Sequence, residues 1–396
     1  MKLSQRIQDI TGGGSGGWDL YFRARALKEA GAPIIELTVG EHDIRTSADI
    51  LDAMHEAARS GHTGYAAIPG TRDLREAVAA RITAQSGVPT TARNVTITPG
   101  GQSALFASHN AMLDAGDTGL FIDPYYATYP GTIRAVGGIP QTVPAEAARG
   151  FQPRGADIDT AAKATHAKSL LINSPNNPTG AVYTADTLQE IARATIDNDM
   201  WLISDEVYDS QIWEGAHISP RALPDMAQRT LVVGSMSKSH AMTGSRVGWV
   251  CGPEDVIDYL ITLSTHTTYG VPGYIQDAAT FALGQGASVE EQVAAPFRRR
   301  RLLTRDLLAK QNVVHAAPIQ GAMYVMLDIR ATGMSGEDFG NALLDGEQIA
   351  VMPGESFGAA AAGHIRVAMT VDDDVFVDAM TRLIGFAATL ATGETA

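Results

Sequence analysis

Ser235-Met236-Ser237-Lys238-Ser239-His240-Ala241-Met242-Thr243-Gly244-Ser245-Arg246-Val247-Gly248-Trp249 is the stretch whose reading decides the fold. It follows Leu231-Val232-Val233, an apolar β-branched run that reads as a buried strand, and it leads into a second such run, Val247 to Val250. Between them a lysine sits among Ser, Gly and Ala, with Arg246 eight residues on. The chain has six lysines (Lys2, Lys28, Lys163, Lys168, Lys238 and Lys310), and Lys238 alone is placed where a strand leaves a core. A cation is costly to bury there, so desolvation lowers the pKa and frees the amine as a nucleophile, as a Schiff-base lysine requires. An isolated lysine in a Ser/Gly loop is ordinarily a surface residue, so the reading rests on the surrounding sequence.

The 396 residues allow two domains, or a large one with a smaller companion. At 45% hydrophobic and 19% charged, the composition is that of an ordinary globular protein. No continuous apolar run approaches the ~20 residues of a membrane span, and Met1-Lys2-Leu3-Ser4-Gln5-Arg6 carries no apolar signal core. The single cysteine, Cys251, excludes an internal disulfide framework and points to a reducing, cytoplasmic setting. It ends an apolar run and reads as a buried structural thiol. A net charge of −14 argues against nucleic acid and anionic membranes as partners. Arg298-Arg299-Arg300-Arg301 is a local exception, read as a solvated face or an interface.

Residues 1–45 read as an arm. The glycines of Thr11 to Gly17 have dinucleotide-like spacing, but no strand precedes them, so a linker or a site-lining loop fits better. Ile34 to Val39 reads as a short strand ending in Gly40-Glu41-His42-Asp43. Residues 46–290 then alternate helices with short, continuous apolar strands. Helices are expected over 50–60, over 71–84 with Thr71 as N-cap, and from Gln102 onward; strands over 94–98, 119–122, 169–172, 200–203, 231–233 and 247–250. That alternation predicts a large α/β domain with a mostly parallel central sheet flanked by helices. Residues 291–396 predict a smaller α+β domain, with a long helix over 290–310, strands over 321–329 and 365–369, and helices over 336–344 and 373–388. The arm is expected to pack with it. The polar clusters fall at the carboxyl ends of strands, where open α/β sheets bind ligands.

Several of those clusters carry chemistry. Gly100-Gly101-Gln102 opens a helix, whose free N–H groups and dipole favour an anion. Arg246 can clamp a phosphate through two oxygens, and Ser235 and Ser237 add hydroxyls beside Lys238. Asp205 ends an apolar strand, where an aspartate either caps the next turn or holds a positive partner. Tyr208 follows it by three residues. Asn177 lies in a Pro-bounded turn, where asparagine is common for local reasons. Tyr126 follows Pro124 in a loop and could equally be core packing. Each residue alone has a bland reading. Together a phosphate cup, a nucleophilic lysine, an acid for a pyridinium, two hydrogen-bonding groups and a flat aromatic are the parts of a pyridoxal phosphate site.

With these residues in hand, the sequence resembles the class I pyridoxal-phosphate aminotransferases of the aspartate aminotransferase family. The stretch Ser235 to Gly248 matches the family's lysine-site pattern. Asn177-Pro178-Thr179-Gly180 matches its NPTG turn, and Ser204-Asp205-Glu206-Val207-Tyr208 its D-E-x-Y strand end. Tyr65, Gly70, Leu74 and Arg75 match a third segment; Pro353 to Gly358 and Ile365-Arg366-Val367 match small-domain motifs. The resemblance implies that Lys238 carries the cofactor and shuttles the substrate proton, and that Asp205 keeps the pyridine nitrogen protonated. It further implies that Asn177 and Tyr208 hold the ring oxygen and that Tyr126 stacks on the ring. Gly101, Gln102, Ser235, Ser237 and Arg246 would hold the phosphate. Tyr65 would reach the phosphate of a partner subunit, making the protein a homodimer with shared sites. Arg366, helped by Gly40 and Asn177, would take the substrate α-carboxylate. His42 departs from the family's Gly-Glu-Pro-Asp and is expected to be an exchange within a loop.

The expected function is therefore a ping-pong aminotransferase acting on amino acids and 2-oxo acids. The polar stretch Thr265 to Val271 suits a small or polar substrate, and the resemblance to bacterial aspartate-using members of the family implies aspartate as donor and glyoxylate, oxaloacetate or 2-oxoglutarate as acceptor. A broad-range neutral or aromatic aminotransferase is the nearest alternative. A β-lyase, decarboxylase or cyclopropane-forming synthase on the same fold keeps the cofactor and changes the chemistry. A ligand-sensing regulator would need an added DNA-binding domain, for which the Gly-rich arm offers no room.

Overall fold

The structure is a computed structural model, and it describes residues 1–13 and 17–393. The middle of the glycine-rich segment, residues 14–16, lies outside the described residues.

Strand β1 (Ile35–Glu36) precedes seven strands that form the central sheet: β2 (Val95–Thr98), β3 (Thr118–Asp123), β4 (Ile139–Pro144), β5 (Ser169–Asn173), β6 (Trp201–Asp205), β7 (Thr230–Ser235) and β8 (Gly248–Cys251). Their spatial order is β2-β8-β7-β6-β5-β3-β4. The pairs from β7 across to β4 are parallel, whereas β8 runs antiparallel to both β7 and β2. This one reversal positions the site. It brings the start of β8, and with it Arg246, to the sheet edge where β7 ends, with Ser235 opposite Gly248. Leu120, Leu170, Leu202 and Leu231 are fully buried, because helices cover both faces of these strands. Gly234 in β7 leaves the space that the Trp249 indole fills; a Cβ there would lie 2.3 Å from the ring.

The later strands are β9 (His315–Ala316), β10 (Tyr324–Asp328), β11 (Ile349–Ala350), β12 (Met352–Pro353) and β13 (His364–Ala368). Four of them make an antiparallel sheet in the order β12-β13-β10-β9, while β1 pairs in parallel with β11. The strand expected over 34–39 thus contributes only two ladder residues. Leu37 continues it differently, donating to Ala350 O at 2.8 Å and accepting from Ala368 N at 2.9 Å. The arm helix Asp19–Glu29 packs against the helix Gly336–Glu347 and against β11 and β12.

Four points bear on the sequence reading. Thr71 does precede the helix Arg72–Ser86, but its hydroxyl makes no cap; its backbone N–H donates to Gln276 Oε1 at 2.7 Å instead. Strand β4 was missed because Ile139-Pro140-Gln141-Thr142-Val143-Pro144 is an edge strand, mostly open to solvent and ended by prolines. The arginine run is not a solvated face throughout. Arg300 is 2% exposed, donating to Asp43 and Asp373, and Arg301 is buried against Ile319 O and Glu214. Finally, the helix Asp373–Thr392 is long and apolar enough to cross a bilayer, yet here Phe376, Ala379, Met380, Leu383 and Ala387 bury one face of it in the core.

Candidate active site

The carboxyl edge of the central sheet opens into a cavity of about 330 Å³. Its wall includes Gly40, Gly101, Gln102, Tyr126, Asn177, Asp205, Tyr208, Ser235, Ser237, Lys238, Arg246 and Arg366, drawn from seven separate stretches of chain. Tyr65 is the one candidate outside it. It is 91% exposed, with its ring edge-on to Tyr269 at 5.2 Å between centroids. A larger hollow of about 480 Å³ lies alongside, sharing Trp18 and Gln102 and also lined by Thr267 and Thr268. Among the described residues it is lined by no lysine or carboxylate, so the reactive groups belong to the smaller cavity.

Lys238 lies on a single helical turn, Met236–Ser239, capped by the Ser235 hydroxyl through Ser237 N–H at 3.1 Å. The Ser235 hydroxyl also donates to Val247 O at 3.1 Å, so it ties β7 to the approach of β8 as well as facing the cavity. The Lys238 ammonium donates to Gly40 O, and burial holds its pKa below the ordinary lysine range. No carboxylate hydrogen-bonds to it among the described residues.

Asp205 is 4% exposed at the end of β6. Burial raises its pKa to about 6, against the pull of Tyr129 OH at 2.6 Å and Val207 N–H at 3.3 Å. Asn173 joins the neighbouring elements: its side-chain amide donates to Asp205 O at 2.9 Å and its oxygen accepts Asn177 N–H at 2.8 Å. Arg366 is 2% exposed, donates to Asn177 Oδ1 at 2.8 Å and to Thr38 O, and lies over the rings of Tyr324 and Phe357. Its Nε is buried without a partner, and no carboxylate neutralises it among the described residues. Tyr208 OH meets Tyr324 OH at 3.1 Å, and burial pushes the Tyr126 hydroxyl up to about 12.

An anion cup stands beside the lysine. Gly100 has φ +82° ahead of the helix Gly101–Met112, and a Cβ there would come 2.4 Å from Arg246 Nη2. Arg246 donates to Thr243 O and Pro99 O, with no acid paired to it among the described residues. Gln102 spends its side chain on Thr128 and Thr132, leaving its backbone N–H at the helix start to face an anion.

These residues fit pyridoxal phosphate. A buried acid without a cation awaits a pyridinium, an unneutralised arginine at a helix N-terminus awaits a phosphate, a buried arginine with a bare Nε awaits a carboxylate, and a desolvated amine lies among them. Sequence reasoning missed Tyr129, Tyr324, Asn173, Trp18 and Glu41. Tyr129, three residues beyond Tyr126, Glu41, next to Gly40, and Asn173, at the end of β5, carried usable signals; Trp18 and Tyr324 reach the cavity through long-range packing. His42 is not simply an exchange within a loop, since its ring reaches the main chain of Lys238.

An arginine–pyruvate transaminase of Pseudomonas aeruginosa is 38% identical to the chain, over 98% of this chain and 99% of its own length. An aspartate aminotransferase of Streptomyces avermitilis is 35% identical over 91% of each. Among solved structures, a double mutant of Thermus thermophilus aspartate aminotransferase superposes with a TM-score of 0.91 at 33% identity, covering 98% of this chain and 99% of that one. The sequence profile of the family described as aminotransferase class I and II matches residues 32–383. The chain belongs to that family, and it is a pyridoxal-phosphate-dependent aminotransferase with the fold of the aspartate aminotransferases.

Proposed function

We propose that the enzyme passes the amino group of an L-amino acid to a short 2-oxo acid, with Lys238, Asp205 and Arg366 as its working residues. The observation that carries this is their convergence on one cavity: a desolvated amine, an acid without a cation and an arginine without an anion. When bound, pyridoxal phosphate supplies an electron sink for the bond that breaks at the donor Cα. Lys238 anchors it and moves the proton from Cα. Asp205 holds a proton on the ring nitrogen. Asn177 and Tyr208 hold the ring oxygen, and Tyr126 covers the ring face. Gly101, Gln102, Ser235, Ser237 and Arg246 hold the phosphate. Arg366, with Gly40 and Asn177 beside it, takes the donor α-carboxylate. Tyr65, exposed in one chain, completes the phosphate site of a second copy in a homodimer.

We favour aspartate as donor and glyoxylate, oxaloacetate or 2-oxoglutarate as acceptor. Support comes from the polar stretch Thr265 to Val271 and from relatives named aspartate aminotransferase. One observation favours a second reading, a cationic donor. The cations of the cavity wall are Lys238, Arg246 and Arg366, each already given a task, while Glu41 stands in the same wall. A relative named arginine–pyruvate transaminase agrees with that reading. Stopped-flow decay of the loaded enzyme's visible band, with aspartate, arginine, alanine and phenylalanine in turn, separates the two. Aspartate should lead by about tenfold, or ~1.4 kcal/mol in transition-state binding. A lead for arginine selects the second reading, and a lead for alanine or phenylalanine refutes both.

A further inference from the structure

His42 stands where the family pattern often has proline. Its imidazole Nε2 lies 3.0 Å from the main-chain oxygen of Lys238. A carbonyl oxygen can only accept, so Nε2 carries a proton, and in the neutral ring Nδ1 is then the bare nitrogen. Nδ1 is buried and has no hydrogen-bond partner among the described residues. The ring stands edge-on to Phe297, with centroids 5.3 Å apart and planes at 67°. The charged groups that face it are Lys238 and Asp43; burial first, and then the Lys238 ammonium, push its pKa down to about 4. The ring is therefore neutral at the pH where the enzyme would work, which is the state a single N–H donor with a buried, unpartnered second nitrogen requires.

The residues on either side of His42 complete a clamp. Gly40 O accepts from Lys238 Nζ, so this segment touches the lysine at its amine as well as at its backbone. Asp43 is held by Arg300 through Nη1 at 3.1 Å and Nη2 at 2.5 Å, which fixes the segment to the long helix Ala287–Leu308. Gln211 Nε2 makes a second, longer contact to the same Lys238 oxygen, at 3.3 Å. A lysine side chain is flexible, with many rotamers open to it. Fixing the backbone from which it hangs narrows where the amine can go.

We propose that His42 is a positioning residue for Lys238: its neutral imidazole holds the lysine's main-chain carbonyl, so that the amine is delivered to one place in the cavity. The inference rests on Lys238 being the cofactor lysine, which covalent labelling of the wild-type protein tests separately.

Two measurements decide it. In wild-type protein labelled with 15N-histidine, with the His42 signal assigned by its loss in His42→Gln, the ring should be neutral with its proton on Nε2, unchanged from roughly pH 5.5 to 8.5. A ring that titrates in that range, or a proton on Nδ1, overturns the proposal without any need for a variant to fold. The second measurement compares His42→Phe, which keeps the ring contact and loses the donor, with His42→Gln, which keeps a donor. In cofactor-free protein the apparent pKa of Lys238, read from the pH dependence of amine labelling at its peptide, should rise by about one unit in the Phe variant as the freed amine reaches water. In the loaded enzyme its kcat should fall on the order of tenfold, with KM within about threefold. The Gln variant should recover most of both. An unchanged labelling pKa and kcat in a folded Phe variant, or equal damage by Phe and Gln, would mean that the hydrogen bond has no positioning role.

Discussion

Asp205 is the residue whose environment most constrains the chemistry, because it is buried with a tyrosine hydroxyl and a backbone N–H but no cation. Its pKa is raised to about 6 from an unfolded value of ~3.9. The folded, cofactor-free protein therefore holds this proton more tightly than the unfolded chain does. Stability from this group is full below about pH 4 and is lost as pH rises through about 6, by at most about 3 kcal/mol. Asp123, also raised to about 6 by burial, acts in the same direction. Thermal melts of cofactor-free protein should consequently fall in Tm across that window, and Asp205→Asn should flatten part of the slope. The same substitution should cut the half-reaction rate on the order of a thousandfold once cofactor is bound. A variant with the wild-type Tm slope and a near-normal rate would show that the proton sits elsewhere.

The decisive element is the junction where β8 meets the start of the helix Gly101–Met112. A Cβ on Gly248 would lie 2.7 Å from Gly100 C and 2.8 Å from Gly101 N, both backbone atoms that cannot swing away. Gly248→Ala should therefore separate the strand from the helix start. We expect a loss of roughly 1–3 kcal/mol in thermal or urea unfolding, together with weaker pyridoxal phosphate binding in equilibrium dialysis. Unchanged affinity with unchanged stability would mean the junction does not shape the anion cup. This element also marks what the sequence could tell. Lys238 and Arg246 lie eight residues apart, and Gly100-Gly101 lies far from them in the chain but directly after its own apolar strand, so each half of the cup was readable from its own stretch. The antiparallel turn of β8 was not, since continuous apolar runs look alike in either direction. Nor was the burial of Arg300, whose partner Asp43 lies far away in sequence, or the edge strand β4, whose prolines and exposure hide it. Tyr324 reaches the cavity only through tertiary packing.

At the scale of the whole molecule, the account needs two copies of the chain. Tyr65 is 91% exposed and outside its own cavity, where a residue serving a neighbour's phosphate would stand. Tyr65→Ala should weaken cofactor binding by roughly ten- to a hundredfold, the worth of one charge-assisted hydrogen bond. Mixing subunits gives a sharper result. A heterodimer of Lys238→Ala with Tyr65→Ala would contain one site with both residues intact, so activity should exceed that of either variant alone. Activity no greater than the diluted Tyr65→Ala enzyme would place Tyr65 in its own chain's site or in none. The central claim, that Lys238 carries the cofactor, is tested most directly on the loaded wild-type enzyme by borohydride reduction, digestion and mass mapping of the pyridoxyl label. The account predicts one labelled peptide, with the label on Lys238. A label on any of the other five lysines, or no covalent label in protein that holds pyridoxal phosphate, would contradict it.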